Sequence, residues 1–197
     1  MKNLGIYIFD QVEPLDFVGP FEVFTTFTDL FPAENLRVFT FSESILPIQT
    51  IGNLKVIPSR SFNELPVIDY LVLPGGNGTK LVIENQATLE QLGQLIEKAK
   101  WTMSVCSGAR IPAKLGLLDN KPYCTHHEVY PDLANLIKNG IPLTEKRFTE
   151  SGISLFSSAG VSAGIDLALH LIGKTWSLKQ AQAVAEYMEY TKFEKKT

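Results

Sequence analysis

The chain has 197 residues, 45% of them hydrophobic and 20% charged, with a formal net charge of -3. That size and apolar content suit one compact domain, residues 1–197, with a sizeable core, and the mild acidity offers no electrostatic footprint for nucleic acid. No apolar run approaches the ~20 residues of a membrane span and the N-terminus lacks a secretory pattern, so a cytoplasmic protein with no membrane partner, its two cysteines starting as thiols, is expected.

Residues 4–9 form a short continuous apolar run, the mark of a central strand buried on both faces. Residues 13–24 then turn into a helix, with Pro20 expected in its first turn, where no N–H is missed. Asp16 stands close after the first strand, and the plainest role for it is a helix cap. Residues 36–41 read as a second strand, followed by two β-like runs at 47–51 and 54–57. Residues 69–73 are a third buried strand, ending in Pro74-Gly-Gly76-Asn-Gly78. Such a glycine cluster either makes an ordinary strand-to-helix turn or leaves backbone N–H groups bare for an oxyanion; both readings stay open. It lacks the Gly-Lys-Ser/Thr of a phosphate loop.

Apolar residues at helical spacing (Leu89, Leu92, Leu95, Ile96, Ala99) predict a helix over 88–100. It leads into Trp101-Thr-Met-Ser-Val-Cys106-Ser-Gly-Ala-Arg110, a β-favouring run that stops at a cysteine flanked by Ser104 and Gly108. A strand turning sharply into a helix crowds its own backbone, so small residues two before and two after the turning residue identify a nucleophile elbow, here with cysteine in the serine's place. At the start of a helix, residues 110–118, the thiol is expected to have a lowered pKa. The alternative is a buried, inert cysteine. Residues 128–138 are expected to be helical, with Gly140 as the stop. Residues 147–149 and 153–156 suggest a hairpin around Glu150-Ser-Gly152, or two short strands. A further helix face carries Val161, Ile165, Ala168, Leu169 and Ile172, and Ser177 with Gln180 matches a capping box for a last helix over 178–190. The tail Lys192-Phe-Glu-Lys195-Lys196 is mildly basic and reads as a solvated end. Alternating strands and helices predict a mostly parallel sheet with ligands at the carboxyl ends of its strands. Those ends carry the segment Asp10 to Asp16, Gly75, Gly76 and Cys106.

Among the histidines, His126 and His127 lie on a strand-to-helix connection, and a histidine can orient or deprotonate a nucleophilic thiol. Cys124, His126, His127 and Glu128 are all zinc-ligand types, but no Cys-x-x-Cys or His-Glu-x-x-His spacing occurs, so no metal is assigned.

Several segments, in order, carry a resemblance: Pro14-Leu-Asp16-Phe-Val-Gly-Pro20-Phe-Glu-Val-Phe24, Leu73-Pro-Gly-Gly76, Val105-Cys-Ser-Gly-Ala109, Leu115-Gly-Leu-Leu-Asp119, Thr125-His126 and Ser158-Ala-Gly-Val-Ser-Ala-Gly-Ile-Asp-Leu-Ala168. Over nearly its whole length the chain resembles the ThiJ/PfpI superfamily, most closely the isonitrile hydratase branch and the sensor domains of related transcription regulators. The resemblance implies a class I glutamine-amidotransferase-like α/β fold, a flavodoxin-like three-layer sandwich around a mostly parallel sheet with a cysteine nucleophile elbow. It implies Cys106 as nucleophile, Asp16 as acid/base, and Gly75, Gly76 and Ser107 as oxyanion-type backbone donors. Ser107 stands where isonitrile hydratases usually carry threonine. His126 falls on the family's histidine position, and His127 replaces an aromatic residue common after it. The implied reaction hydrates a small isonitrile to an N-substituted formamide, without cofactor. Glyoxalase-, amidase- or peptidase-like chemistry at the same cysteine, and a non-catalytic redox or ligand sensor, are the alternatives. A homodimer is implied, with Phe21, Phe24 and Phe27 either at its interface or in the core.

Overall fold

The computed structural model describes residues 1–190, so the basic tail lies outside the described residues. In chain order the strands are β1 (Lys2–Tyr7), β2 (Leu36–Ser42), β3 (Ile48–Gln49), β4 (Lys55–Val56), β5 (Arg60–Ser61), β6 (Tyr70–Leu73), β7 (Trp101–Val105), β8 (Pro122–Tyr123), β9 (Ile141–Pro142), β10 (Phe148–Glu150) and β11 (Leu155–Ser158). The α-helices are α1 (Pro14–Leu30), α2 (Thr79–Val82), α3 (Gln86–Lys98), α4 (Arg110–Lys114), α5 (Tyr130–Ala134), α6 (Ala163–Thr175) and α7 (Leu178–Tyr187).

Seven strands make one sheet in the order β10-β11-β7-β6-β1-β2-β5. Every pairing is parallel except β10 with β11, the expected hairpin. The apolar run read as a central strand is central: Ile6 of β1 sits opposite Thr40 of β2 on one side and Val72 of β6 on the other. The chain moves outward in one direction from β1 to β2 and in the other from β6 to β7. Right-handed crossovers therefore put α1 and α3 on opposite faces, and the crevice between β1 and β6 is the switch point where such sheets bind ligands. Helices α1, α6 and α7 pack together on one face.

Aromatic packing locks that layer. Trp101 stacks on Tyr70 with centroids 4.6 Å apart, and Phe27 lies 4.6 Å from Trp176. Phe24 and Phe27 are fully buried and Phe21 packs partly buried against them, so these rings belong to the core. At the last helix the Ser177 hydroxyl accepts the Gln180 N–H, as the capping box requires. Asn85, not Thr88, opens α3, its side chain accepting the Thr88 N–H.

Three expected helices differ. Pro14, not Pro20, is the proline of the first turn; Pro20 lies inside α1, where it leaves the carbonyl four residues earlier, that of Asp16, without its helical partner. The segment after the elbow is helical only to Lys114, and Gly116 takes φ +71° to turn the chain away. The 128–138 segment keeps a helix only at α5, with Pro131 in its first turn, and the helix ends at Ala134 with Asn135 as its capping residue, well before Gly140. In both cases the apolar spacing marks burial (Val129, Leu133 and Ile137 do face inward) without marking length.

The elbow spacing has a direct steric cause. A Cβ built on Gly108 would lie 2.1 Å from the Leu73 carbonyl oxygen and 2.8 Å from that of Pro74. Backbone atoms cannot yield as a side-chain end does, so Gly108→Ala is expected to cost about 3 kcal/mol. Urea unfolding monitored by circular dichroism measures this, with Gly93→Ala, whose Cβ would meet only the Leu115 side chain at 3.5 Å or more, as the tolerated reference.

Candidate active site

Four loops at the carboxyl ends of the strands converge on Cys106. The residue itself sits at φ +57°, in the left-handed region, where a non-glycine residue carries strain of about 1–3 kcal/mol. Both peptide groups around it are held. Its N–H donates to the Ala159 carbonyl at 3.2 Å, and its carbonyl accepts the Thr125 hydroxyl at 2.8 Å. Thr125 is thus a structural member of the site, visible in the sequence only as part of the Thr-His motif. Ser104, two residues before the cysteine, is fully buried.

Asp16 is not a helix cap. Glu13 is the capping residue of α1, without a side-chain cap bond, and Asp16 falls in the first turn with its side chain completely buried. One carboxylate oxygen accepts the Gly75 N–H at 3.0 Å, whereas the other has no partner of ordinary hydrogen-bond geometry. A Cβ on Gly75 would lie 2.7 Å from Asp16 Oδ2, 2.6 Å from the Ser107 N and 2.7 Å from Ser107 Oγ. Asp16, Ser107 and the glycine loop therefore surround one small volume beside Cys106. The Cys106 thiol and the Val161 N–H both act on the Asp16 carboxyl, as do the N–H groups of Ser107 and Val161 on the Cys106 sulfur.

Burial dominates the electrostatics. It raises the Asp16 pKa to about 7, against the Gly75 N–H and the Cys106 thiol, which favour the carboxylate. It also raises the Cys106 thiol to about 12, and the nearby Asp16 charge adds to the effect. The lowered cysteine pKa expected from a helix start is not found. A 3-10 turn, Cys106–Ala109, and then only the five residues of α4 follow the thiol, so the dipole is small, and burial together with the nearby Asp16 charge outweighs the N–H donors of Ser107 and Val161.

Gly75 and Gly76 also depart from expectation. Their N–H groups are already engaged, Gly75 with Asp16 and Gly76 with Ser107 Oγ at 2.8 Å. Neither is bare for an oxyanion; they fix the acid and the serine instead. The donors that do face the sulfur are the N–H of Ser107 and that of Val161. The apolar spacing of the sequence puts Val161 on a helix face. It lies before α6, at φ +49°, a conformation that a β-branched residue adopts only under constraint. Gly160 beside it is the one turn signal its sequence offered.

A cavity of about 360 Å³ opens over the site, lined by Cys106, Ser107, Gly76, His126, Val161 and Glu13, with Lys80, Arg110, Glu128 and Asp132 also on its wall. Asp16 does not line it. Arg110 is buried and bound to the Thr79 hydroxyl at 2.9 Å and to Asp132. The His126 ring packs on the loop after β11: a Cβ on Gly160 would lie 2.3 Å from its Cδ2. Its Nδ1 accepts the Glu128 N–H at 3.4 Å. His127 is exposed, with its ring centroid 4.2 Å from that of His126. Cys124 is buried, its sulfur 3.5 Å from the Leu143 carbonyl, and both cysteines are free.

A flavodoxin-like α/β protein with a cysteine elbow at the carboxyl end of β7 is thus defined. Residues 2–174 match the DJ-1/PfpI family, and the chain belongs to that family. An isonitrile hydratase of Pseudomonas putida is 30% identical over 95% of this chain and 78% of its own length. The HTH-type transcriptional regulator GbdR of Pseudomonas aeruginosa is 23% identical over 96% of the chain, which spans about half of that regulator's length (51%). The fold matches a ThiJ/PfpI family protein from Pseudomonas syringae, with a TM-score of 0.86 at 24% identity over 100% of this chain and 77% of that one. It also matches Drosophila melanogaster DJ-1beta, at 0.81 and 17% over 95% and 97%. Among the described residues no helix is long and apolar enough to cross a membrane.

The raised Asp16 pKa makes a statement about stability. The folded state holds this proton up to about pH 7, whereas an unfolded aspartate releases it near pH 4. Asp16 therefore destabilises progressively as pH rises through that window and not below it. Asp16→Asn is expected to leave stability at pH 4 nearly unchanged and to raise it at pH 8 by up to about 4 kcal/mol. Denaturant titrations at the two pH values measure the difference.

Proposed function

We propose that the protein hydrates a small isonitrile to an N-substituted formamide through a covalent intermediate on Cys106, with Asp16 as acid and base. The observation that carries this reading is the Asp16 carboxyl, buried against the thiol and titrating near neutrality. At pH 7 the thiol holds its proton and Asp16 is close to half ionised. The carboxylate takes the thiol proton as sulfur bonds to the terminal isonitrile carbon, and returns it to that carbon, giving the thioimidate Cys–S–CH=N–R. Water then adds to the same carbon while the nitrogen is protonated, with Asp16 relaying a proton. Collapse of the adduct breaks the C–S bond, releases H–CO–NH–R and restores the thiol. Covalent addition divides one hard step into two, and proton relay of this kind supplies about 10²–10⁴-fold. The identity to the Pseudomonas putida isonitrile hydratase supports the substrate class.

The other chemistries fit less well. An amidase- or glyoxalase-like dyad needs His126 as a working base, but its Nδ1 is turned to Glu128 and its ring is packed on Gly160. A peroxide sensor needs an accessible thiolate, and Cys106 is 7% exposed with its thiol pushed up to about 12.

Turnover of cyclohexyl isocyanide, followed by formamide production, tests the reading. Cys106→Ala and Asp16→Asn are each expected to lower kcat/KM by at least about 10³-fold, consistent with loss of covalent and acid/base catalysis, and His126→Ala by less than about tenfold. Because only ionised Asp16 can accept the thiol proton, kcat/KM should rise with pH through about 7 and then level off. Full activity in Asp16→Asn, or a profile that is flat from pH 5 to 9, overturns the assignment.

A further inference from the structure

The turn 159–162 after β11 presents the Val161 N–H to the Cys106–Asp16 pair, and it is a strained turn. Val161 is held at φ +49°, and such a conformation persists only where its surroundings over-determine it. The surroundings are specific. On the cavity side the His126 ring leaves no room beyond a hydrogen at Gly160. On the other side stands Arg147, just before β10. Its carbonyl accepts the Ala159 N–H at 2.8 Å at one end of the turn. Its guanidinium donates to the Ser162 hydroxyl at 3.2 Å at the other end, and to Asp166 one turn into α6. Asp166 is buried and receives the Tyr190 hydroxyl on its second oxygen at 2.9 Å, which fixes the carboxylate that Arg147 grips. The Ala159 carbonyl in turn accepts the Cys106 N–H.

We infer that Arg147 is a positioning residue for Cys106, closing the turn 159–162 at both ends so that the Val161 N–H stays on the sulfur. The inference rests on Cys106 being the reacting group. Arg147 itself does not line the cavity. Its planar fork reaches Asp166 and Ser162 at once, which a lysine, a single point of charge, does not do. A purely structural role makes a different prediction. Loosening the turn would open a buried thiol and speed its modification. Loss of the Val161 N–H withdraws stabilisation from the thiolate and slows it.

The sign is therefore the test. Alkylation of Cys106 by iodoacetamide, resolved from Cys124 by peptide mass spectrometry at pH 8, is compared for the full-length protein and its Arg147→Met, Arg147→Lys and Ser162→Ala variants, each below its melting temperature. Arg147→Met is expected to slow Cys106 about tenfold, the loss of thiolate that follows a rise of about one in its pKa. Arg147→Lys should resemble it, and Ser162→Ala should slow Cys106 about threefold, half of that rise on the same scale. Cys124 should keep its wild-type rate throughout. Unchanged or faster alkylation of Cys106, or parallel changes at both cysteines, overturns the proposal. Should Arg147→Met fail to fold, Ser162→Ala, which removes one exposed hydroxyl, decides by the same criterion. Since alkylation needs no isonitrile, a protein inert to isonitriles that shows this pattern would sink the hydratase reading alone, and unchanged alkylation with intact turnover would sink the clamp alone.

Discussion

The site depends on one costly placement, a carboxyl group fully buried against a thiol. Nothing in α1 requires an acid at position 16, since the helix is capped by the backbone of Glu13 and the first turn is set by Pro14. The carboxyl is tolerated because the Gly75 N–H binds it, and Gly75 can approach that closely only without a Cβ. Acid, glycine loop and cysteine are thus interlocked. The same interlock keeps the carboxyl near neutrality, because a fuller set of donors would have returned it to the ordinary aspartate range.

The sheet provides the rigidity for this. The loops after β1 and β6 meet across the switch point, where the Glu13 N–H donates to the Gly75 carbonyl at 2.9 Å and a Cβ on Gly76 would strike the Gln11 carbonyl at 2.3 Å. The loops after β7 and β11 meet through the Cys106 N–H and the Ala159 carbonyl. Two left-handed residues, Cys106 and Val161, sit at this second junction. Their strain is confined to the place where backbone N–H groups must converge on one sulfur, and the parallel strands beneath are too well registered to relax it.

The alternation of apolar runs was enough to read the parallel sheet, the central position of residues 4–9 and the hairpin at β10–β11. The elbow was legible because its cause is local: Ser104 and Gly108 are small for steric reasons that act within a few residues of Cys106. Where a role depends on groups distant in sequence, local pattern misled. Asp16 looks like a cap until the loop carrying Gly75, some sixty residues away, is folded over it. Gly75 and Gly76 look like oxyanion donors until Asp16 and Ser107 are seen to occupy their N–H groups. Val161 fits a helical spacing yet stands outside the helix, because hydrophobic period reports burial and not backbone sign. The thiol pKa departs from local pattern for a similar reason: the helix start is visible in sequence, whereas desolvation and a buried acid are properties of the assembled site.

The arrangement of protons also separates the chemistries open to a cysteine at such an elbow. Amide hydrolysis must protonate a departing amine as the acyl-enzyme forms, so its acid has to reach the cavity side on which that amine leaves. Asp16 does not line that cavity, and the group that does, His126, is committed through Nδ1 to the Glu128 backbone. Hydration of an isonitrile has no leaving group in its first step. One proton moves from sulfur to the carbon that sulfur has just bonded, over a path no longer than the site itself. An acid buried against the thiol and near neutrality is suited to that first transfer, and it does not reach an amine leaving on the cavity side.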